Sequence, residues 1–173
     1  MSTRKQTRAL TRWSEEARQW ATTAGRVLAL DLYLNRESTL RPYDVGVVLG
    51  AGEKVWAETP LRFNLDWPCP RVEGKTIEPA VRPWLVTSHR VVGRLGDDRL
   101  YGYRWEQAVR ARVDLTVGRE VVMLDVEGEP ALAWSGPAVA PLAVAAVFRF
   151  YGPIGMIEHP GLAALRVGAE GLH

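Results

Sequence analysis

The stretch that decides the fold is residues 84–134, which reads WLVTSHRVVGRLGDDRLYGYRWEQAVRARVDLTVGREVVMLDVEGEPALAW. Short runs rich in β-branched and aromatic residues recur along it, and each run is bounded by turn residues. Gly-Asp-Asp at 96–98 and the single glycines Gly118 and Gly128 are typical of hairpin turns. The predicted strands are 84–87, 90–95, 100–105, 111–117, 120–125 and 131–134. We therefore expect a series of short antiparallel strands.

The residues on either side of this stretch extend the pattern. Apolar and polar residues alternate over 55–65, which predicts one more strand, and the proline-rich segment 66–80 is predicted to be a long loop. Residues 138–151 have the composition of a packed helix, with Pro141 in its first turn. A run of strands followed by a helix indicates an α+β fold, mainly β, with about seven strands in a bent antiparallel sheet or open barrel.

An amphipathic helix is predicted before the sheet, from Arg8 to about residue 34. Its apolar residues recur at steps of three and four, which places them on one face. Gly25 is unfavourable inside a helix and marks a point where the segment could divide. We predict that this face is an interaction face, either docked on the body or paired with another chain. Its residues are Leu10, Trp13, Ala17, Trp20 and Ala24.

The expected organisation has four parts. They are a disordered basic tail at 1–8, a helical segment at 9–44, the sheet domain at 45–151 and a loop-like tail at 152–173 that could contain a short final helix at 162–167. The chain has 173 residues, with 47% hydrophobic and 24% charged residues and a net charge of +2, which excludes wholesale disorder and a strongly basic molecule. No signal peptide is visible and there is one cysteine, so the predicted location is the cytoplasm and no internal disulfide is possible.

Two short motifs resemble the pleckstrin-homology-like superfamily, in particular its GRAM and bacterial PH-like members. Members often carry Gly-Glu before the first strand, here at 52–53, and a T-x-x-R hairpin entering a later strand, here at 87–90. The resemblance covers roughly residues 45–151. It implies a bent sheet whose open end is closed by the last helix. The residues expected to cover that end are Leu142, Val144, Ala145 and Phe148.

In members that bind phosphoinositides, basic residues of the first two strands hold the phosphates, which implies a candidate site at Lys54 and Arg62. Asn64 stands where a further basic residue would help, Glu53 and Glu58 dilute the charge, and no tryptophan lies between 138 and 151. Basic residues at the N-terminus would add attraction to anionic lipid. These residues are Arg4, Lys5, Arg8 and Arg12.

The sequence contains only weak indications of a catalytic, metal-binding or phosphate-binding site. Ser88 and His89 with Asp97 or Asp98 lack the Gly-x-Ser-x-Gly setting of a nucleophile, so a hairpin turn is the better interpretation. Metal ligation by His159 and His173 lacks close partners. Leu49-Gly50-Ala51-Gly52 is interpreted as a turn and not as a phosphate loop. Cys69 has only Arg71 as a cationic neighbour in sequence. No cofactor or metal is predicted.

Three functions stay open from the sequence. The leading hypothesis is a non-enzymatic PH-like module for protein–protein interaction or self-association. The second is peripheral binding to anionic lipid at the inner face of the membrane. The third is a small ligand-binding barrel or enzyme with a pocket lined by His89, Arg90, Arg104 and Glu106. Nucleic-acid binding ranks below these because the basic charge is confined to a short segment.

Overall fold

The computed structural model describes residues 3–36, 47–64, 71–72, 75–76, 79–95 and 98–166. Three helices and nine strands lie in these ranges. The helices are α1 (Thr3–Tyr33), α2 (Ala140–Glu158) and α3 (Ala163–Arg166). The strands are β1 (Val55–Asn64), β2 (Arg71–Val72), β3 (Lys75–Thr76), β4 (Arg82–Thr87), β5 (Arg90–Arg94), β6 (Leu100–Arg104), β7 (Arg110–Asp114), β8 (Val121–Asp125) and β9 (Leu132–Ser135).

Seven strands form one antiparallel sheet in the order β6-β5-β4-β1-β9-β8-β7, which is not closed into a barrel. The long strand β1 joins two halves, because Val55–Leu61 pair with β4 and Arg62–Asn64 pair with β9. Short strands joined by tight turns produce this meander, and Gly118 and Gly128 adopt the positive φ values that their turns need. The α+β class and the seven-stranded antiparallel sheet are confirmed.

The helix α2 fills the centre of the molecule. Residues 141–147 are all buried, and α2 packs against β1, β7 and β8. Leu142, Val144 and Ala145 are fully buried as predicted, and the Phe148 ring meets Trp56 edge to face at 5.7 Å. Among the described residues, α2 is the one helix whose length and composition would suffice to cross a membrane, and half of that span is buried inside the protein.

Several boundaries differ from those predicted. α1 is one continuous helix from Thr3, so residues 3–8 are helical and Gly25 does not divide it. α2 continues past the predicted end at 151 through a kink at Gly152, and Met156, Leu162 and Leu165 beyond it are buried. Residues 152–166 are therefore packed structure and not mostly loop, and α3 lies where the short final helix was expected. The segment predicted as a loop contains the β2–β3 ladder, and helical residues outnumber strand residues in the described chain.

Candidate protein-binding groove

One face of α1 docks on the body of the protein. Ala21 and Leu28 are buried. A Cβ atom added at Gly25 would lie 3.4 Å from the backbone carbon of Ala140, so glycine lets the two helices approach closely at the start of α2. α1 therefore packs on its own chain through the face that carries Ala21, Gly25 and Leu28. This docked face lies next to the predicted interaction face.

Two polar contacts fix the position of α1. The Arg18 guanidinium forms an ion pair with the buried carboxylate of Glu120, which also accepts a hydrogen bond from the Gly118 N–H at 2.9 Å. Nearer the end of α1, the Nε of Arg26 donates to the carbonyl of Leu165 in α3 at 2.8 Å. The C-terminal half of the helix is thus attached to both the sheet and the C-terminal segment.

A groove lies beside the docked face, between α1 and the β1–β4 part of the sheet. Its volume is about 770 Å³. One wall consists of residues from successive turns of α1, and the other comes from β1, β4 and the start of α2. The α1 wall is Trp13, Ala17, Trp20, Ala24, Val27, Leu28 and Asp31. The opposite wall is Trp56, Ala57, Glu58, Thr59, Pro60, Val81, Arg82, Pro83 and Pro141.

Four of the five residues predicted for the interaction face line this groove, and Leu10 lies one step further along the same stripe of α1. Trp13 and Trp20 keep 42% and 48% of their surface exposed, and Leu10 keeps 65%. Sequence reasoning missed the opposite wall. No local signal marks Pro60 and Pro83 as neighbours of α1, because their proximity depends on how α1 docks.

Charge at the groove is mixed. Asp31 and Glu58 line it together with Arg82. Asp31 lies 3.7 Å from Arg36, measured between carboxylate and guanidinium atoms, and Glu58 is exposed on β1. An apolar floor with charged groups at its rim suits an amphipathic protein segment.

The docking of α1 gives a direct prediction. Replacing Gly25 by leucine places four added carbons against the backbone of Ala140, so we expect the variant to lose roughly 1–3 kcal/mol of stability and α1 to detach. Amide hydrogen exchange of residues 18–30 measures the detachment. Gly25→Ala is the matched control, because its Cβ makes an ordinary 3.4 Å contact and alanine favours the helix. Equal exchange protection in the leucine variant and the wild-type protein would contradict the docking.

A second site joins the start of β1 to the β4–β5 turn, and it contains the motif residues of the family resemblance. The buried carboxylate of Glu53 accepts hydrogen bonds from Arg90 Nε at 2.9 Å, Thr87 Oγ1 at 2.7 Å and the Gly50 N–H at 2.6 Å. The second guanidinium nitrogen of Arg90 also donates to the carbonyl of Val48 at 2.7 Å. We call these residues the Glu53 network.

Thr87 is the centre of that network. Its hydroxyl oxygen also accepts from the N–H groups of His89 and Arg90 at 3.1 and 3.0 Å, which shapes the turn. Its carbonyl accepts from the indole N–H of the buried Trp105 at 2.9 Å. The network therefore ties three parts of the chain together, and its polar groups are occupied by one another.

The charge state of Glu53 follows from these contacts. Burial alone raises the pKa of a carboxyl group, but the hydrogen bonds from Arg90, Gly50 and Thr87 and the positive charge of Arg90 outweigh it. The pKa of Glu53 falls from its ordinary 4.5 to about 2. Glu53 is therefore ionised at neutral pH and acts as a structural anion, not as a charge that dilutes a basic patch.

The structure separates the two strand residues predicted to bind lipid, whereas the basic residues of the N-terminus share the first turns of one helix. Lys54 precedes β1 and Arg62 lies near its other end, about 26 Å away for eight residues of extended strand. Arg4, Arg8 and Arg12 lie on the first turns of α1, where Arg12 pairs with Glu16 at 2.8 Å. Lys5 is in the same helix, and its side chain lies outside the described part of the chain.

The residues proposed to line an enzyme or ligand pocket do not line the groove. Arg90 belongs to the Glu53 network, Glu106 is exposed and lies 3.5 Å from Arg149, and neither His89 nor Arg104 lines the groove. Ser88 and His89 form the β4–β5 turn as interpreted, with the Ser88 hydroxyl accepting from the Lys54 N–H at 2.9 Å.

The remaining candidates have structural explanations or lie outside the described residues. His159 accepts from the Gly161 N–H at 3.1 Å and stacks near Tyr151, and its pKa is lowered by burial and by the charge of Arg166. Gly50 accepts from the Glu53 N–H in the predicted turn. Among the described residues, no group of three or more His, Cys, Asp or Glu side chains could hold a metal ion. Cys69, Asp97 and His173 are outside the described ranges.

No protein-family model and no curated protein sequence matches the chain. Among solved structures it is similar to the C-terminal domain of an unknown protein from Leishmania infantum. That likeness has a TM-score of 0.40 and 12% identity, and it covers 58% of this chain and 85% of the other. A likeness at this level carries no functional argument, so the class that fold and site define here is an α+β protein with an apolar groove beside its first helix.

Proposed function

We propose that this protein is a non-enzymatic binding module that takes an apolar helical segment of a protein into the groove between α1 and the β1–β4 strands. The observation that carries the proposal is the pair of half-exposed tryptophans, Trp13 and Trp20, facing that groove. Tryptophan is enriched at the energetic centres of protein interfaces, where it fills a partner pocket or accepts a partner side chain.

The spacing of the groove residues favours a helical ligand. The steps of three and four along α1 form a stripe of the kind that packs against another helix. Ala17 and Ala24 alternate with the two tryptophans, which leaves recesses between the rings for a partner's side chains. Large apolar side chains exposed along one face also carry a solubility cost that a bound partner would remove.

We further propose that the body belongs to the pleckstrin-homology-like superfamily. Two observations support this proposal. The motif residues Glu53, Thr87 and Arg90 contact one another in the folded protein. The last long helix, α2, is buried against the sheet whose halves meet at β1, as the resemblance implies.

Site-specific photo-crosslinking tests the groove. We expect a benzophenone side chain at Ala24 to form an adduct with a protein, either in the purified protein or in the cells that express it, because position 24 lines the groove. The same group at Glu127, exposed at the β8–β9 turn, is the matched control and should form none. Equal labelling at both positions, or no protein adduct at Ala24, would contradict the proposal.

Binding to anionic lipid is the alternative to binding a protein partner. Co-sedimentation with phosphatidylserine vesicles at low and high salt measures it. Because Arg62 and Lys54 lie at opposite ends of β1, and only the short basic start of α1 is left as a cluster, we expect no strong salt-sensitive binding. Strong binding that is lost on Trp13→Ala would assign the exposed stripe to a membrane surface.

A further inference from the structure

We propose that the groove binds α1 of a second copy of this chain, in an antiparallel pair whose two-fold axis passes between Arg18 and Gln19. The inference rests on the proposed function and names its partner. In such a pair the N-terminal half of one α1 lies in the groove of the other copy, and the reverse holds by symmetry. The groove is then complete only when the second copy is present.

The order of side chains along the stripe selects this arrangement. With the axis between residues 18 and 19, Trp13 faces Ala24 and Ala17 faces Trp20. Leu10 faces Val27 in the same register. Each tryptophan thus meets an alanine recess, as knobs-into-holes packing requires. A parallel pair in register would place Trp13 against Trp13 and Ala17 against Ala17. The paired tryptophans would clash, and the paired alanines would leave a void.

Charge is compatible with the same register. The five arginines of α1 lie off the stripe that carries Leu10, Trp13 and Trp20, so the pairing brings no like charges together. Asp31, which lines the groove, faces Gln6 between two basic turns of the partner. Opposite charges near that end steer the basic N-terminal half toward the groove.

The N-terminal half of α1 also needs an apolar neighbour. Every described side chain from 4 to 13 is exposed, whereas the polar attachments to the body begin at Arg18. Fifteen residues of helix, about 22 Å, therefore extend beyond the attached part. The segment continues from the attached half of α1, but Leu10 and Trp13 stay exposed on it, and pairing with the groove of a second copy would bury them.

Exchanging the residues at positions 17 and 20 tests the register. Ala17→Trp places tryptophan opposite tryptophan, and Trp20→Ala places alanine opposite alanine, so each single variant should weaken dimerisation by about tenfold or more. The double variant A17W/W20A restores one tryptophan opposite one alanine and should recover the dimer. Sedimentation equilibrium of the full chain measures the dissociation constants, and circular dichroism confirms that each variant is folded.

A disulfide test reports the direction of the pair independently. In a chain with Cys69→Ser, Leu10→Cys mixed with Val27→Cys should give a disulfide-linked dimer, and Leu10→Cys alone should not. Cross-linking of Leu10→Cys alone, a double variant no tighter than the singles, or a wild-type protein that stays monomeric at high concentration would each overturn this inference. A monomer that still forms a heterologous adduct at Ala24 would overturn it and leave the proposed function standing.

Discussion

Replacing Glu53 by glutamine is expected to destabilise the protein by roughly 3 kcal/mol at neutral pH, which corresponds to a fall of about 10 °C in melting temperature. The side chain of Glu53 is only 2% exposed, and it neutralises the partly buried guanidinium of Arg90. Glutamine keeps the size of the side chain but leaves that cation without a counter-charge. Thermal unfolding followed by circular dichroism measures the effect.

An exposed carboxylate provides the matched control. Glu106 also lies near an arginine, with 3.5 Å between its oxygen and Arg149, but its side chain is 60% exposed. Surface pairs of this kind contribute little, so Glu106→Gln should melt close to the wild-type protein. Equal melting temperatures for the two variants would show that burial of the Glu53 network has no stabilising role.

The same carboxylate predicts a pH dependence. Because the pKa of Glu53 in the folded protein is about 2, below its ordinary 4.5, its contribution is fully present above pH 4.5 and is lost as the pH falls from there toward 2. The gap corresponds to about 3 kcal/mol. Wild-type and Glu53→Gln stabilities should therefore converge across this range. Parallel curves from neutral pH down to pH 2 would contradict the assignment.

The strands could be predicted because their signals are local. Alternation of side chains and glycine turns placed 84–87 and 90–95 close to the observed β4 and β5. The start of α1 could not be predicted, because residues 3–8 are polar in sequence and offer nothing to bury. They are helical because α1 extends from a half that is attached through Arg18 and Arg26.

The Glu53 network shows a different limit. Both residues are named in the sequence analysis but are given separate roles. Glu53 is interpreted there as a charge that weakens a basic patch, and Arg90 as the lining of a pocket. Their 37-residue separation gives no sign that they pair, and their pairing depends on the register of β1 with β4. The groove could be predicted only in part for the same reason. The apolar stripe on α1 follows from the sequence, but the opposite wall depends on how α1 packs against the sheet.

Gly93→Ala is expected to destabilise the protein by about 1–3 kcal/mol, because an added methyl group overpacks the core. The new Cβ would lie 2.7 Å from two carbons of the Trp84 indole ring, closer than any unstrained contact. Trp84 is 1% exposed and packs at 5.2 Å from Phe63 and 5.7 Å from Trp134, measured between ring centroids, so it has little room to move.

Gly102, in the neighbouring strand β6, provides the matched control. It separates the effect of overpacking from the effect of replacing any glycine by alanine. A Cβ atom at Gly102 would meet its closest neighbour, a side-chain carbon of Arg90, at 3.6 Å, so Gly102→Ala should melt at or above the wild-type temperature. Near-ultraviolet circular dichroism should change for Gly93→Ala alone, because the ring that must shift belongs to the aromatic core. Equal melting temperatures and unchanged spectra for the two alanine variants would contradict this prediction. They would show that the Trp84 ring leaves room for a side chain at position 93.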